Sequence, residues 1–190
     1  MKRSIAAFIV VIVGALLPSV ALAEKKKGDL YFQLDGGQAR FADSEVNRRN
    51  VTFDEGWSVN GRIGAEMERI AAELELGLHG AGYAPVGDGY SPAIFLTVGL
   101  NVIFKFLRLP GLDAYGGLGF GYLSNEPPIS AAQINAHVES GLIMRFHRHA
   151  QIVPHIRTMV IFGASEDDIG RSQSYSQVIS TARLGLRFTP

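Results

Sequence analysis

From residue 30 onward, apolar and polar side chains alternate with a period of two, the signature of strands with two different faces. In 70–78 the apolar set is Ile70, Ala72, Leu74, Leu76 and Leu78, and Glu73 and Glu75 lie between them. In 57–67, Trp57, Val59, Ile63, Ala65 and Met67 alternate with Ser58, Asn60, Arg62 and Glu66. In 94–106, Ile94, Leu96, Val98, Leu100, Val102, Phe104 and Phe106 oppose Thr97, Gly99, Asn101 and Lys105. The segments 134–146 and 178–188 behave alike, and 30–41, 112–123 and 152–162 complete a set predicted to be eight strands. No long amphipathic helix is predicted after residue 24. Each strand exceeds the usual ~5–6 residues of soluble sheets and approaches the ~9–11 of a tilted strand that crosses a membrane. Pro154 costs a ladder bond, but it falls near the start of its predicted strand, where proline is tolerated.

The connections run long, short, long, short, long, short, long. That is the rhythm of an up-and-down barrel with long loops at one end and short turns at the other. An even strand number places both ends of the barrel domain, residues 24–190, on the short-turn side. Ahead of it, residues 1–23 read as a secretory signal peptide. Lys2 and Arg3 precede an uncharged, mostly apolar run over 5–17, and Ala21-Leu22-Ala23 supplies the small-x-small cut. The expected destination is export through the Sec pathway to a Gram-negative outer membrane.

Alternation alone also fits a soluble barrel with an apolar interior. Two features favour the inverted arrangement. The polar face is highly charged with mixed signs: Asp35, Arg62, Glu66, Glu73, Glu75, Lys105, Asp113, Glu139, Arg145, Arg157, Arg183 and Arg187. Enclosed together, such groups can neutralise one another, whereas singly buried charges are very costly. Aromatic residues also gather at strand ends. Phe32, Phe104, Phe106, Phe146 and Phe188 fall near the short turns, and Trp57, Tyr83, Tyr122 and Phe162 near the long loops, as two interfacial girdles would.

Composition adds little against this picture. Among 190 residues, 18 basic and 18 acidic side chains balance, so nucleic acid is not an expected partner. There is no cysteine, hence no disulfide and no thiolate chemistry. Glycine is frequent at 22, and Asp113-Ala-Tyr-Gly-Gly-Leu-Gly-Phe-Gly-Tyr122 holds four of them in six residues. A phosphate loop would need a helix to follow, whereas Ser124-Asn125-Glu126-Pro127-Pro128 comes next. Gly117, Gly119 and Gly121 instead keep strand parity on the lumen side, leaving room for long side chains from other strands.

The signal peptide, the loop rhythm, this glycine-rich strand and the closing Ala182-Arg-Leu-Gly-Leu-Arg-Phe188 resemble the small eight-stranded outer-membrane barrels of the OmpA and opacity-protein type. The resemblance implies an all-β transmembrane barrel, contact with outer-membrane lipid, and insertion by the barrel-assembly machinery, which in such proteins reads a terminal aromatic. Here Phe188 is followed by Thr189-Pro190. Some barrels of this size, the lipid A deacylases, carry a His-x-Ser pair on a late strand. The comparable position here reads His155-Ile156-Arg157, without the serine.

Other chemistry is sparse. His137 and Glu139 share a face and are an acid–base candidate, but a hydrogen bond within a polar lumen explains them more simply. His79 has no serine at triad spacing. His147 and His149 flank a short turn and make no closed metal site. Glu166-Asp167-Asp168 lacks the alternating ligands of a calcium loop. No catalytic, cofactor or metal residue is assigned. An eight-stranded lumen is just wide enough for side chains to fill it. The expected plug is an ion-pair network of Arg62, Glu73, Glu75, Lys105, Glu139, Arg145, Arg157 and Arg183. The expected role is structural or surface-interactive, with loops 43–55 and 164–174 as candidate contact surfaces for an extracellular ligand. A lipid-modifying enzyme, a small porin-like channel and a periplasmic barrel that carries an apolar ligand stand as alternatives.

Overall fold

The computed structural model describes residues 29–42, 44–46, 49–85, 91–125, 133–166 and 172–190. The segment 1–23, read as a signal peptide, lies outside them. The strands are β1 (Asp29–Phe41), β2 (Ser44–Val46), β3 (Arg49–Phe53), β4 (Gly56–Met67), β5 (Ile70–Pro85), β6 (Ser91–Leu109), β7 (Leu112–Asn125), β8 (Gln133–His147), β9 (Ala150–Glu166) and β10 (Ser172–Phe188). Eight of them, β1 and β4 to β10, pair antiparallel with their neighbours in chain order, and β10 closes onto β1. The result is an eight-stranded up-and-down barrel, and none of its described residues is helical.

The stagger can be read from the pairing. Tyr31 faces Gly64, which faces Glu73, then Asn101, Gly119, His137, Met159, Ile179 and finally Phe41. One circuit therefore returns to β1 ten residues beyond its start, between Tyr31 and Phe41. At ~3.3 Å per residue and ~4.7 Å between strands, that shear tilts the strands by about 41°.

Strand faces follow the alternation. Leu34, Leu76, Val102, Leu118, Phe120, Ile156 and Leu184 are exposed on the outside, while Gln33, Asp35, Arg62, Glu73, Lys105 and Arg157 are buried inside. A barrel that hides its charges and bares its leucines pairs its backbone groups through a closed ladder and turns its apolar face to lipid.

Three expectations need correction. The strands run further than predicted, because hydrogen-bonded pairing continues past the apolar stretch that marks a membrane crossing. The interval 43–55, expected as a loop, contains β2 and β3, paired Ser44↔Val51 to Val46↔Arg49, with β3 also lying on β5 at Val51↔Pro85. In the interval 164–174 the described ends are paired strand, Ala164 to Glu166 against Ser172 to Ser174. Second, β9 begins at Ala150, so Pro154 sits inside the ladder opposite Leu184. On its other side β8 keeps its register but makes no ladder pair between Gly141↔His155 and Met144↔Ile152, where the N–H of residue 154 is missing.

Third, the lumen is not polar throughout. At the short-turn end Tyr31, Ala71, Ile103, Tyr115, Ile143 and Val153 pack together inside the barrel. At the long-loop end Ala39, Phe41, Ala81, Phe95, Leu123, Met159, Ile161 and Ile179 do the same, with Phe53 against them. Phe41 stacks between Phe53 and Phe95, with ring centroids 5.6 and 5.5 Å away. The charged tier lies between these two apolar tiers.

The short turns have their own geometry. Gly111 takes φ 80°, where glycine has no steric cost, and Glu68 takes φ 52°. A register shift between Lys105 and Leu107 turns Phe106 and Leu107 both outward and leaves Lys105 in the lumen.

Candidate functional site: the charged tier of the lumen

Arg62, on β4, stands at the centre of this tier and is 1% exposed. Its Nη1 donates to Glu73 (3.1 Å) and Glu139 (2.9 Å), and its Nε lies 3.2 Å from Asp35 and 3.0 Å from Glu75. Four strands besides its own thus aim a carboxylate or a ring at one guanidinium, because Nη2 also reaches His155 Nε2 at 3.0 Å. A guanidinium only donates, so this ring nitrogen accepts, and His155 carries its proton on Nδ1, 3.2 Å from the Val153 carbonyl.

Arg157 clamps two of the same carboxylates. It contacts Glu75 through both terminal nitrogens and Glu139 through Nε (3.0 Å) and Nη2 (2.6 Å). Arg183 reaches Asp35 at 3.5 Å and Glu75 at 4.0 Å, and its Nε donates to Ser58. Arg187 contacts Glu73 at 3.3 Å and covers the Tyr31 ring at 3.9 Å, while the Tyr31 hydroxyl donates to Glu73 at 2.6 Å. Asp35, Glu73, Glu75 and Glu139 therefore face Arg62, Arg157, Arg183 and Arg187, and the tier is electrically balanced.

A second, smaller cluster closes the short-turn mouth. Lys105 contacts Glu66 and, at 3.2 Å, Asp113, and Arg145 also contacts Asp113. Of the eight residues expected to form one network, Arg62, Glu73, Glu75, Glu139, Arg157 and Arg183 meet in the central tier. Lys105 and Arg145 belong to this mouth cluster instead. Sequence reasoning left Asp35, Glu66, Asp113 and Arg187 out of the network, although their parity already placed them on the charged face. Tyr31, Asn101 and His155 link the charges; parity already set Asn101 on the polar face, but none of the three was expected in the network.

The glycine strand makes room, as its parity implied. A Cβ at Gly119 would strike the His137 ring and Asn101 Oδ1. Those two groups bond across the glycine at 2.8 Å, and Asn101 Nδ2 donates to Glu73 and Glu75 at 3.1 and 3.2 Å. The Asn101 amide is thereby oriented with its oxygen toward His137, so His137 Nε2 donates. His137 thus serves Asn101, while both oxygens of Glu139 are held by arginines, and the two do not form an acid–base pair.

His79 is buried beside Thr97, 3.3 Å away. His147 and His149 lie tilted against each other at the third turn, with centroids 5.9 Å apart, and the His149 ring meets the Thr189 carbonyl. Among the described residues no group of three His, Cys, Asp or Glu side chains is placed to hold a metal. Asp167 and Asp168 lie outside the described residues.

The aromatic positions line the outside at two heights. Phe32, Phe104, Phe106, Phe146 and Phe188 are exposed at the short-turn end, with Phe32 directly opposite Phe188. Trp57 and Phe162 are exposed and Tyr122 is half-buried at the other end. The Tyr83 side chain lies outside the described residues.

No family model matches this chain, and no curated protein matches it. Solved structures do. The chain is similar to Neisserial surface protein A, with a TM-score of 0.60 at 14% identity over 85% of this chain and 97% of that one. The fold is that of the small outer-membrane β-barrels. The outer membrane protein OprG of Pseudomonas aeruginosa aligns at TM-score 0.59 and 13% identity, over 86% of this barrel and 98% of OprG. The outer membrane protein AlkL, solved in lipid bilayers, aligns at 0.57 and 11%, over 86% and 91%. The described barrel and these neighbours share architecture, and at such identities the likeness reaches no further than the fold.

Proposed function

We propose that this chain is an integral protein of a Gram-negative outer membrane, with a structural and surface-contact role and no catalytic one. The observation that carries the reading is the filling of the lumen. Two apolar tiers flank a balanced tier whose four carboxylates and four guanidiniums are all engaged with one another. Among the described residues such an interior leaves no room for a wide solute path, and each carboxylate of the tier is buried and held by a guanidinium. What remains for function is the exterior and the hairpins at the long-loop end. There Arg40 pairs with Glu55 at 3.1 Å and Gln38 donates to Glu55 at 3.3 Å, bracing the base of the β2–β3 hairpin. That hairpin, and the projecting ends of β9 and β10, are the proposed contact surfaces for an extracellular partner.

Purified protein refolded in detergent should migrate faster unheated than heated, and should remain with membranes on extraction without detergent. In a planar bilayer it should pass no large steady current. A steady conductance of porin size would overturn the filled-lumen reading. Lipid A and phospholipid acyl chains incubated with the protein should keep their masses, and a loss of one acyl chain would establish the lipid-modifying alternative.

A single charge decides which face meets lipid. Leu118 is 67% exposed at mid-height on β7. Leu118→Arg should cost about 2–4 kcal/mol in urea titrations of vesicle-inserted protein, the cost of an arginine at the bilayer midplane. A soluble barrel would tolerate the same change within about 0.5 kcal/mol.

A further inference from the structure

Each of the three short turns carries an exposed arginine just beyond the aromatic girdle. Arg69 belongs to the turn between β4 and β5, Arg108 is the penultimate residue of β6, two after Phe106, and Arg148 lies in the turn between β8 and β9 two residues after Phe146. Arg108 Nη1 reaches the Glu68 carbonyl at 3.5 Å and the Lys105 N–H donates to the Arg69 carbonyl, so the first two turns are tied together. Arg108 keeps only a long contact of 3.9 Å with Asp113, whose other oxygen serves Lys105 and Arg145. Among the described residues Arg69 and Arg148 make no ion pair. At the opposite end the exposed Arg40 is paired with Glu55.

From this we infer that Arg69, Arg108 and Arg148 form a binding rim for the phosphate headgroups of anionic phospholipid in the periplasmic leaflet. The inference rests on the outer-membrane reading above and adds to it a lipid class and a set of residues. Interfacial aromatics mark the headgroup level, and the three guanidiniums begin one turn below it. The planar guanidinium fork suits phosphate bidentately, and exposed arginine at a membrane surface is free to take it. Glu68 is the one exposed carboxylate on these turns and weakens the rim in part. The exposed Asp29, opposite Glu66 at the start of β1, weakens it further, whereas Glu66 and Asp113 are engaged by Lys105 and Arg145.

The test is lipid retention. Protein reconstituted in bilayer discs of equal phosphatidylcholine and phosphatidylglycerol is released gently, and native mass spectrometry counts the lipids that stay bound. Phosphatidylglycerol should be retained over phosphatidylcholine by on the order of fivefold for each arginine. Arg69→Gln with Arg148→Gln, which removes no internal contact, should lose most of that preference while keeping the heat shift, and adding Arg108→Gln should abolish it. Equal retention of the two lipids by the unaltered protein, or a preference unchanged in the triple variant, would overturn the inference. Displacement of the bound lipid by excess soluble glycerol phosphate would also overturn it, since the rim would then read free phosphate. Absence of a heat shift in the unaltered protein would instead bring down the membrane reading, and this inference with it.

Discussion

Arg62→Met should destabilise the barrel by about 3–5 kcal/mol, enough that much of the protein fails to regain its fast-migrating form. The cost comes from what is left behind. Among the described residues Arg62 alone touches Asp35, Glu73, Glu75 and Glu139 together, and its side chain has no exposure. Methionine fills similar space, so packing changes little and the loss reports charge. Arg157, Arg183 and Arg187 would remain, leaving four buried carboxylates against three guanidiniums. The excess is localised, because Arg187, at 3.3 Å, would be the one cation left on Glu73, beside the neutral donors Tyr31 and Asn101. Adding Glu73→Gln to Arg62→Met removes that excess and should restore roughly half of the loss. The measurement is urea unfolding in lipid vesicles followed by gel shift. A single variant within about 1 kcal/mol of the parent would mean that the ion network does not hold the lumen together.

The second large effect belongs to Gly119. Gly119→Val places branched carbons where the His137 ring and Asn101 already meet. Neither neighbour has room to retreat, since Asn101 is bonded to two glutamates and His137 to Asn101. The expected loss is about 3 kcal/mol or more, from overpacking and from a broken buried hydrogen bond. Gly36 supplies the control. It lies on the lipid face, and a Cβ there would find its nearest atom at 3.6 Å, so Gly36→Ala should be near neutral in the same assay. Equal effects at the two glycines would show that backbone freedom, not lumen space, is what Gly119 provides.

Parity in the sequence was enough to sort most side chains. Where an apolar residue alternates with a charged one, as in Leu74-Glu75-Leu76, only one assignment keeps the charge out of lipid. It failed where both faces are apolar. Val102-Ile103-Phe104, Leu142-Ile143-Met144 and Val160-Ile161-Phe162 show no contrast between neighbours, yet Ile103, Ile143 and Ile161 point inward and build the apolar tiers. Those runs sit at the two ends of the barrel, so the polar middle was legible and its hydrophobic lids were not. The hairpins at the long-loop end were missed for a related reason. Outside the membrane a strand need not be apolar, and residues such as Ser44, Glu45 and Asn50 pair through backbone groups that composition does not reveal.

The alternating pattern, the loop rhythm and the enclosed charges were sufficient by themselves to determine an eight-stranded barrel, its inside and its outside, because both follow from the two-residue period of a strand and the cost of a charge in lipid. Which charges meet is a different matter. Arg62 reaches Glu139, 77 positions away in the chain, only because the barrel closes with a ten-residue stagger that sets β4 and β8 at one height across the lumen. Shear is a property of the whole closed sheet. It depends on eight registers acting together, and no single strand carries it, so the balance of the central tier, the separate cluster of Lys105 and Arg145, and the space above Gly119 were decided by the tertiary structure alone.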